Sequence, residues 1–518
     1  MRKRQAPTRR ATVRCPAWLT RTGTRRHPHG PGGGIALPER TRQRRYLVLA
    51  TCCLSLFLVG IDSTIANVAL PSIGRELRAP VSGLQWTINA YLLVLASLLM
   101  LSGSVADKIG RRRVFQIGLP VFTVGSLACS LAPSVGWLIA FRGLQAVGGS
   151  MLNPVTMSII TNVFTDPKER AQAIGVTVSV FGMSMALGPV IGGALIDSVG
   201  WRGVFWVNVP VGIAAIILTA LYVPESKAAR TRALDPVGQI LVILLLGTLS
   251  YGLIEGPTYD WDSARILACF AVAFVALVIL LAYEPRRAEP LIDLRFFRSL
   301  PFSGAAVTAI SALLAMGGFL FLMVLYLQDV RAYSPLITGL CLLPMALMLA
   351  ASAPLAGRTI AARGGPRIPL IIADTGLIAG GLMLTRMPDS SPIWYVIMSV
   401  LVFGIAMGWV GPPIINSAMS GMPRSQAGVA SAITSTTQQI GSSLGVAVMG
   451  SVLADNLHGP MTTGFATAPR PGWWIVVGCG VVVLAVALWT TGRAGKASAA
   501  RAATLILAAE EERAPIHA

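Results

Sequence analysis

The chain has 518 residues, of which 54% are hydrophobic and 12% charged, and its mean hydropathy is +0.68. About a quarter of the residues in a soluble domain are charged, so a soluble enzyme, a disordered chain and a secreted disulfide scaffold are excluded. The net charge is +20. In a soluble chain that would point to nucleic acid, but here the basic residues lie in short loops and tails between apolar runs, which points to membrane topology.

In chain order, residues 1–45 carry thirteen Lys and Arg and one acid, Glu39, among many Pro and Gly. They read as a disordered, cytoplasmic basic tail. Fourteen apolar runs follow, at 46–66, 84–104, 114–132, 136–160, 172–195, 203–222, 237–254, 264–283, 302–328, 336–357, 368–387, 393–413, 428–453 and 472–490. Runs of this length cross a bilayer core. Backbone in lipid must satisfy its own hydrogen bonds, so each run is a helix or a barrel strand. Barrel strands would be half as long and would alternate apolar with polar residues. The predicted fold is therefore an all-α membrane protein with fourteen transmembrane helices, closed by a cytoplasmic tail at 491–518.

Fourteen crossings put both termini on one side. With that side cytoplasmic, inner loops and tails hold 34 of the 42 Lys and Arg. The outer segments hold only Arg75, Arg78, Arg202, Arg265, Arg331, Arg386 and Arg470. This asymmetry sets the orientation. The seven Cys show no metal-ligand spacing, and the four His all fall outside the spans. No metal site and no cofactor are expected.

Three charges fall inside spans: Asp62, Arg142 and Asp374. Each costs at least about 2.5–3.5 kcal/mol to insert, which makes each a functional candidate. Asp62 lies about 24 Å along the first helix, and Arg142 about 9 Å into the oppositely directed fourth. The two therefore share a depth near the outer face. As neighbours they would offset each other's desolvation, and a proton arriving at Asp62 would free Arg142. A static ion pair, or a wet helix-end position for Asp62, are the alternatives. Asp374 lies about 9 Å from the inner face. There it lines the cavity, carries protons or pairs with Arg367 or Arg363.

Neutral polar side chains in or beside the spans include Asn67, Gln85, Asn89, Gln145, Asn153, Asn208, Gln328, Asn416, Gln438 and Gln439. Asn67, Gln85, Asn89 and Gln328, with Asp374, are the expected substrate-cavity residues. Bonding between helices is the alternative use of such groups. Trp86, Trp137, Trp201, Trp206, Trp473 and Trp474 sit near outer span ends, as an interfacial belt would.

The loop after the second run reads Gly103-Ser-Val-Ala-Asp107-Lys108-Ile-Gly110-Arg111-Arg112-Arg113. Asp107 is placed to meet an Arg or a helix N-terminus across a domain interface as a breakable latch. The pair Gly357 and Gly364 repeats the seven-residue step from Gly103 to Gly110, offset by 254 residues. Parallel six-helix halves of this kind are a known transporter architecture.

On these residues the chain resembles the major facilitator superfamily, from about residue 46 to 490. The loop is similar to G-x-L-A-D-R-x-G-R-[KR]-[KR], with Val105 and Lys108 as departures. Asp62-Ser-Thr-Ile-Ala-Asn67-Val-Ala-Leu-Pro71 is similar to a drug/proton antiporter signature. Arg142-Gly143-Leu-Gln145-Ala-Val-Gly148-Gly149 is similar to the R-x-x-Q-G-x-G motif assigned to proton coupling, with Ala146 in place of Gly. Gly182, then Gly188-Pro189-Val-Ile-Gly192-Gly193, is similar to the antiporter motif, with Ser184 in place of its first Gly.

The resemblance implies the fourteen-helix antiporter branch: a six-helix half at 46–222, a linker with two extra helices at 223–301, and a second half at 302–490. It implies a multi-pass cell-membrane protein that exports amphipathic, lipophilic or cationic drugs or antibiotics in exchange for protons, by alternating access and as a monomer. Asp62 and Arg142 would couple the proton. Gly103, Asp107, Gly110, Arg111, Arg112 and Arg113 would form the cytoplasmic gate. Gly182, Gly188, Pro189, Gly192 and Gly193 would seal the outer side. Proton-driven uptake of a nutrient on the same scaffold is the alternative. No G-x-x-x-x-G-K-[ST] loop and no H-E-x-x-H motif occurs, so neither ATP hydrolysis nor a metalloenzyme is expected. No nucleic-acid partner is expected either. Five Lys against 37 Arg, with abundant Ala, Gly and Pro, suggest a GC-rich bacterial genome.

Overall fold

The computed structural model describes residues 39–513, apart from 228–234, 288–289, 388–390, 421, 423–425, 458–464 and 466–467. The described residues from 44 onward form one compact unit. Residues 1–38 of the expected basic tail lie outside the described residues. Residues 39–45 are the helical start of α1.

The regular elements among the described residues are all helices, with no strand among them. The helices are α1 (Glu39–Leu77), α2 (Val81–Ile109), α3 (Arg111–Ser130), α4 (Val135–Val163), α5 (Pro167–Val199), α6 (Gly203–Trp206), α7 (Asn208–Tyr222), α8 (Pro236–Tyr259) and α9 (Ala264–Tyr283). They continue as α10 (Leu300–Leu325), α11 (Pro335–Arg363), α12 (Arg367–Thr385), α13 (Ile393–Met419), α14 (Ala427–Asn456), α15 (Arg470–Thr490) and α16 (Arg493–Arg513).

Twelve helical segments among the described residues are long and apolar enough to cross a membrane. α4 and α14 match them in length, at 29 and 30 residues. Both are more polar, with Arg142, Gln145 and Asn153 in α4 and Gln438 and Gln439 in α14.

Several helices start on a polar residue that caps them. Asp166 accepts from the backbone amides of Lys168 and Glu169 at 2.9 Å each, with Pro167 in the first turn of α5. Ser334 starts α11 in the same way, accepting from the Ile337 amide at 3.3 Å. Such caps satisfy amides that have no partner within the helix. The sixth apolar run breaks at Val207 between α6 and α7. Pro210 cannot donate to the Trp206 carbonyl, and the Phe205 carbonyl accepts from the Ser126 hydroxyl at 2.9 Å. α10 ends in a five-residue π-helical turn, Tyr326–Val330, which carries Gln328.

Two sets of helices pack within themselves. α2, α3, α4 and α7 interlock in the first, and α10 to α15 in the second. α2 lies against α14, and α5 against α11, across the seam between the sets. α8 packs on α9 and also touches both α2 and α14. Leu241, Val242 and Leu246 of α8 share a buried apolar cluster with Leu93 and Ala96 of α2. The segment expected as a tail after residue 490 includes α16, which packs against α10, where the Ser498 hydroxyl accepts from the Leu300 amide at 3.0 Å.

Candidate functional site: a buried carboxylate and its guanidinium

Asp62 of α1 and Arg142 of α4 meet inside the first helix set. The Arg142 Nη1 donates to Asp62 Oδ2 at 2.7 Å, and the two side chains are 1% and 0% exposed. Two amides complete the carboxylate's shell. Gln145 Nε2 donates to Oδ1 at 2.9 Å, and Asn208 Nδ2 donates to the same oxygen at 3.1 Å. Helix geometry explains the first, because Gln145 stands three residues after Arg142 and shares its face. Gln145 also accepts from Arg142 Nη1 at 2.9 Å, so one amide bridges both charges.

The guanidinium is held from the other side by α2. Its Nε donates to the Thr87 carbonyl at 3.2 Å, and the Tyr91 ring lies 4.2 Å from its carbon. Asn208 is anchored in turn, donating to the Ser126 hydroxyl at 3.0 Å. Thus α1, α2, α3, α4 and α7 all converge on one ion pair. An ionised carboxylate only accepts hydrogen bonds, and three donors aimed at Asp62 suit that form. Each charge-assisted bond contributes about 1.5–3 kcal/mol.

Gly188 and Pro189 sit where α5 crosses α1. A side chain at Gly188 would collide with Thr64. Pro189 leaves the Met185 carbonyl without its helical donor, and the Thr64 hydroxyl donates there at 3.1 Å instead. Gly192 faces Ile65 of α1, whereas Gly193 lies against the Pro335 and Leu336 backbone of α11. Gly182 faces open space and takes no part in this packing. The same seam carries a contact that the sequence reading missed. The Leu336 amide, in the first turn of α11, donates to Asp197 of α5 at 3.1 Å. A carboxylate on a helix N-terminus across the seam was expected of Asp107, and Asp197 supplies it at the opposite end of the bundle.

Asp107 pairs within its own loop. Arg111 donates to its Oδ1 at 3.0 and 3.2 Å, and Arg111 Nη1 reaches the Ser158 carbonyl of α4 at 3.4 Å. The i,i+4 spacing of the two residues makes this local pair geometrically easy. The basic run beyond it is tied to Glu225, which follows α7. Glu225 accepts from the Arg112 amide at 3.2 Å and lies 3.7 Å from Arg113 Nε. Gly110 has φ of 123° and its open side faces Glu225, so a side chain there would be strained and would clash. Gly103 has only Pro154 beside it, at 3.8 Å. Glu225 was missed in the sequence, although an acid directly after a span and near a basic loop was the signal.

The five expected cavity residues are all enclosed in this conformation, none more than 5% exposed. Gln85 donates to the Val446 and Ala447 carbonyls of α14 at 3.2 and 2.8 Å. Asn89 accepts from Ser443 of α14 at 2.7 Å. Gln328 donates to the Val68 carbonyl of α1 at 2.9 Å, and Asn67 bonds back to the Ser63 carbonyl in its own helix at 3.3 Å. In this conformation these four bond to helix backbone or, for Asn89, to a serine hydroxyl, while among the described residues Gln85 Oε1, Asn89 Nδ2 and Gln328 Oε1 have no partner. Asp374 is 0% exposed, and among the described residues neither of its carboxyl oxygens has a hydrogen-bond partner. It pairs with neither Arg363 nor Arg367.

A helical membrane bundle in two packed sets, with a buried ion pair inside one and breakable contacts along the seam, has the architecture of a secondary transporter. The chain belongs to the Major Facilitator Superfamily, whose model matches residues 52–446. It is 37% identical over 408 residues to the multidrug resistance protein Stp of Mycobacterium tuberculosis, covering 79% of this chain and 76% of that protein. It is 34% identical over 450 residues to the tetracenomycin C resistance and export protein of Streptomyces glaucescens, covering 86% and 81%. Among solved structures, a bacterial homolog of the human lysosomal transporter Spinster, in an inward-facing and occupied conformation, aligns with a TM-score of 0.62. That match has 18% sequence identity and covers 90% of this chain and 98% of the other.

Proposed function

We propose that this protein is a proton-coupled antiporter that exports lipophilic or cationic drugs or antibiotics across the cell membrane. The observation that carries the reading is the sealed Asp62–Arg142 pair, with Gln145 and Asn208 completing the carboxylate's shell. The names of the relatives, which speak of multidrug resistance and antibiotic export, support the direction of transport.

On this reading α4 and α14 also span, α6 and α7 together make one crossing, and fourteen helices put both termini in the cytoplasm. Residues 46–222 and 302–490 are the two halves, and 223–301 carries the inserted pair. The monomer is the working unit. The contacts of Gln85, Asn89, Gln328 and Asp197 across the seam lie toward the extracellular end, so the described conformation is closed outside. In it Asp62 has given up its proton and holds Arg142.

Opening outward exposes Asp62 to the more acidic side. Protonation removes the charge that three donors face, and the acid's new proton opposes them. Arg142 is released, and the helices it had gathered can re-pack. Each charge moved is worth about 2.3 kcal/mol per 100 mV of membrane potential. Drug loads from the inside once the proton has left.

The test is a toxicity panel of lipophilic cations and antibiotics in a pump-deficient host, with and without an uncoupler. Expression should raise tolerance to a subset of compounds, and the uncoupler should abolish the gain. Unchanged tolerance across the panel, or a gain that survives the uncoupler, contradicts the reading.

A further inference from the structure

Asp374 sits in α12, where α13 and α15 cover it. Gly480 of α15 lies so close that a side chain there would come within 3.3 Å of the Asp374 carbonyl. The Asp374 carboxyl group is fully enclosed, and among the described residues both its oxygens lack a hydrogen-bond partner. Among the described residues the helices packed on α12 bring no counter-charge to it. α13 offers one titratable group, Tyr395, whose hydroxyl is spent on the Met383 carbonyl at 2.7 Å. α15 offers Cys479 and, at its start, the exposed Arg470. α11 offers Cys341 and the exposed Arg358 and Arg363, and α12 itself has Arg367, also exposed, in its first turn and Arg386 just past its end.

A carboxylate in such a place has neither a cation nor a donor to offset its desolvation. A neutral acid does not carry that cost. Nothing in the packing of α12 returns a hydrogen bond for keeping a carboxyl there, and an apolar residue would fill the space at lower cost. Intramembrane acids that persist under these conditions mark proton pathways.

We propose that Asp374 is a second proton-binding group of this transporter, holding a proton in the conformation in which Asp62 has none. It exchanges that proton when α12 parts from α13 and α15 and water reaches it. The proposal rests on the proton-coupled reading above and extends it, because two carboxyl groups then hold protons at different points of one cycle.

Infrared absorption of the purified full-length protein reads the first claim. At neutral pH, the difference between wild type and Asp374→Asn should contain the carbonyl band of a protonated acid, and Asp374→Glu should shift that band. Ionised carboxylate bands in its place would overturn the proposal. Proton counting reads the second claim, with ethidium as the probe in proteoliposomes. Asp374→Asn should release one proton fewer per ethidium, and Asp374→Glu should restore the wild-type ratio. If Asp374→Asn keeps the wild-type ratio while Asp62→Asn loses coupling, the coupling reading stands and this proposal falls. If both variants keep it, both fall.

Discussion

Two buried aspartates divide this molecule. Asp62 in the first helix set has a guanidinium and two amides around it, drawn from two other helices. Asp374 in the second set has none of these. The same side chain is thus paired with a guanidinium in one half and left, among the described residues, without a partner in the other. The contrast shows that what the neighbouring helices offer, and not burial alone, sets how a buried carboxyl is held.

Removing one side of the ion pair should give the largest effect. Arg142→Ala leaves Asp62 buried without a cation, which costs about 3–5 kcal/mol. Thermal unfolding in detergent should show a large drop in Tm, and adding Asp62→Asn should recover part of it. No recovery in the double variant would mean that the pair is incidental to packing. Asn208→Ala sharpens the comparison by removing one donor and keeping both charges. A charge-assisted bond of about 1.5–3 kcal/mol is lost, and drug-driven proton release should slow by about an order of magnitude with the fold intact.

A smaller effect is expected at the seam. Asp197→Ala strips the carboxylate from the α11 N-terminus, a cap of about 0.5–2 kcal/mol. Cysteine cross-linking between the α5 and α11 ends should slow relative to wild type, because that end of the bundle is closed less of the time. Glu225→Gln should matter least. Its contact with Arg113 is half exposed, and such pairs contribute about 0.2–1 kcal/mol. Transport should stay within about twofold of wild type, measured as initial efflux rate.

The ion pair was legible in the sequence because span length converts directly to depth, and two opposite charges at one depth in antiparallel helices invite pairing. Gln145 was nearly as legible, three residues after Arg142 on the same face. Asn208 was visible only as one polar residue among ten, since its approach to Asp62 depends on how α7 packs. The cross-helix bonds of Gln85, Asn89 and Gln328 were hidden for a related reason. A polar side chain in an apolar run announces that it needs a partner, but periodicity does not say whether that partner is a carbonyl on the next helix or a substrate. Asp107 illustrates a third limit. Its latch was expected across the seam, yet Arg111 one turn away satisfied it first, and the cross-seam cap fell to Asp197, which no motif marked. Some helix starts were underestimated, because apolar runs report the lipid core while capping residues such as Asp166 and Ser334 begin α5 and α11 before it.

Drug-induced proton movement in everted vesicles that carry Asp62→Asn tests the central claim most directly. Asp62→Asn leaves Arg142 buried without its counter-charge, so the comparison is made at equal folded protein level, checked by thermal unfolding, with the titrating group gone. Wild-type vesicles should show a pH change on drug addition, and the variant should show none at equal protein level. A full-sized proton signal from the variant would contradict the assignment of coupling to this aspartate.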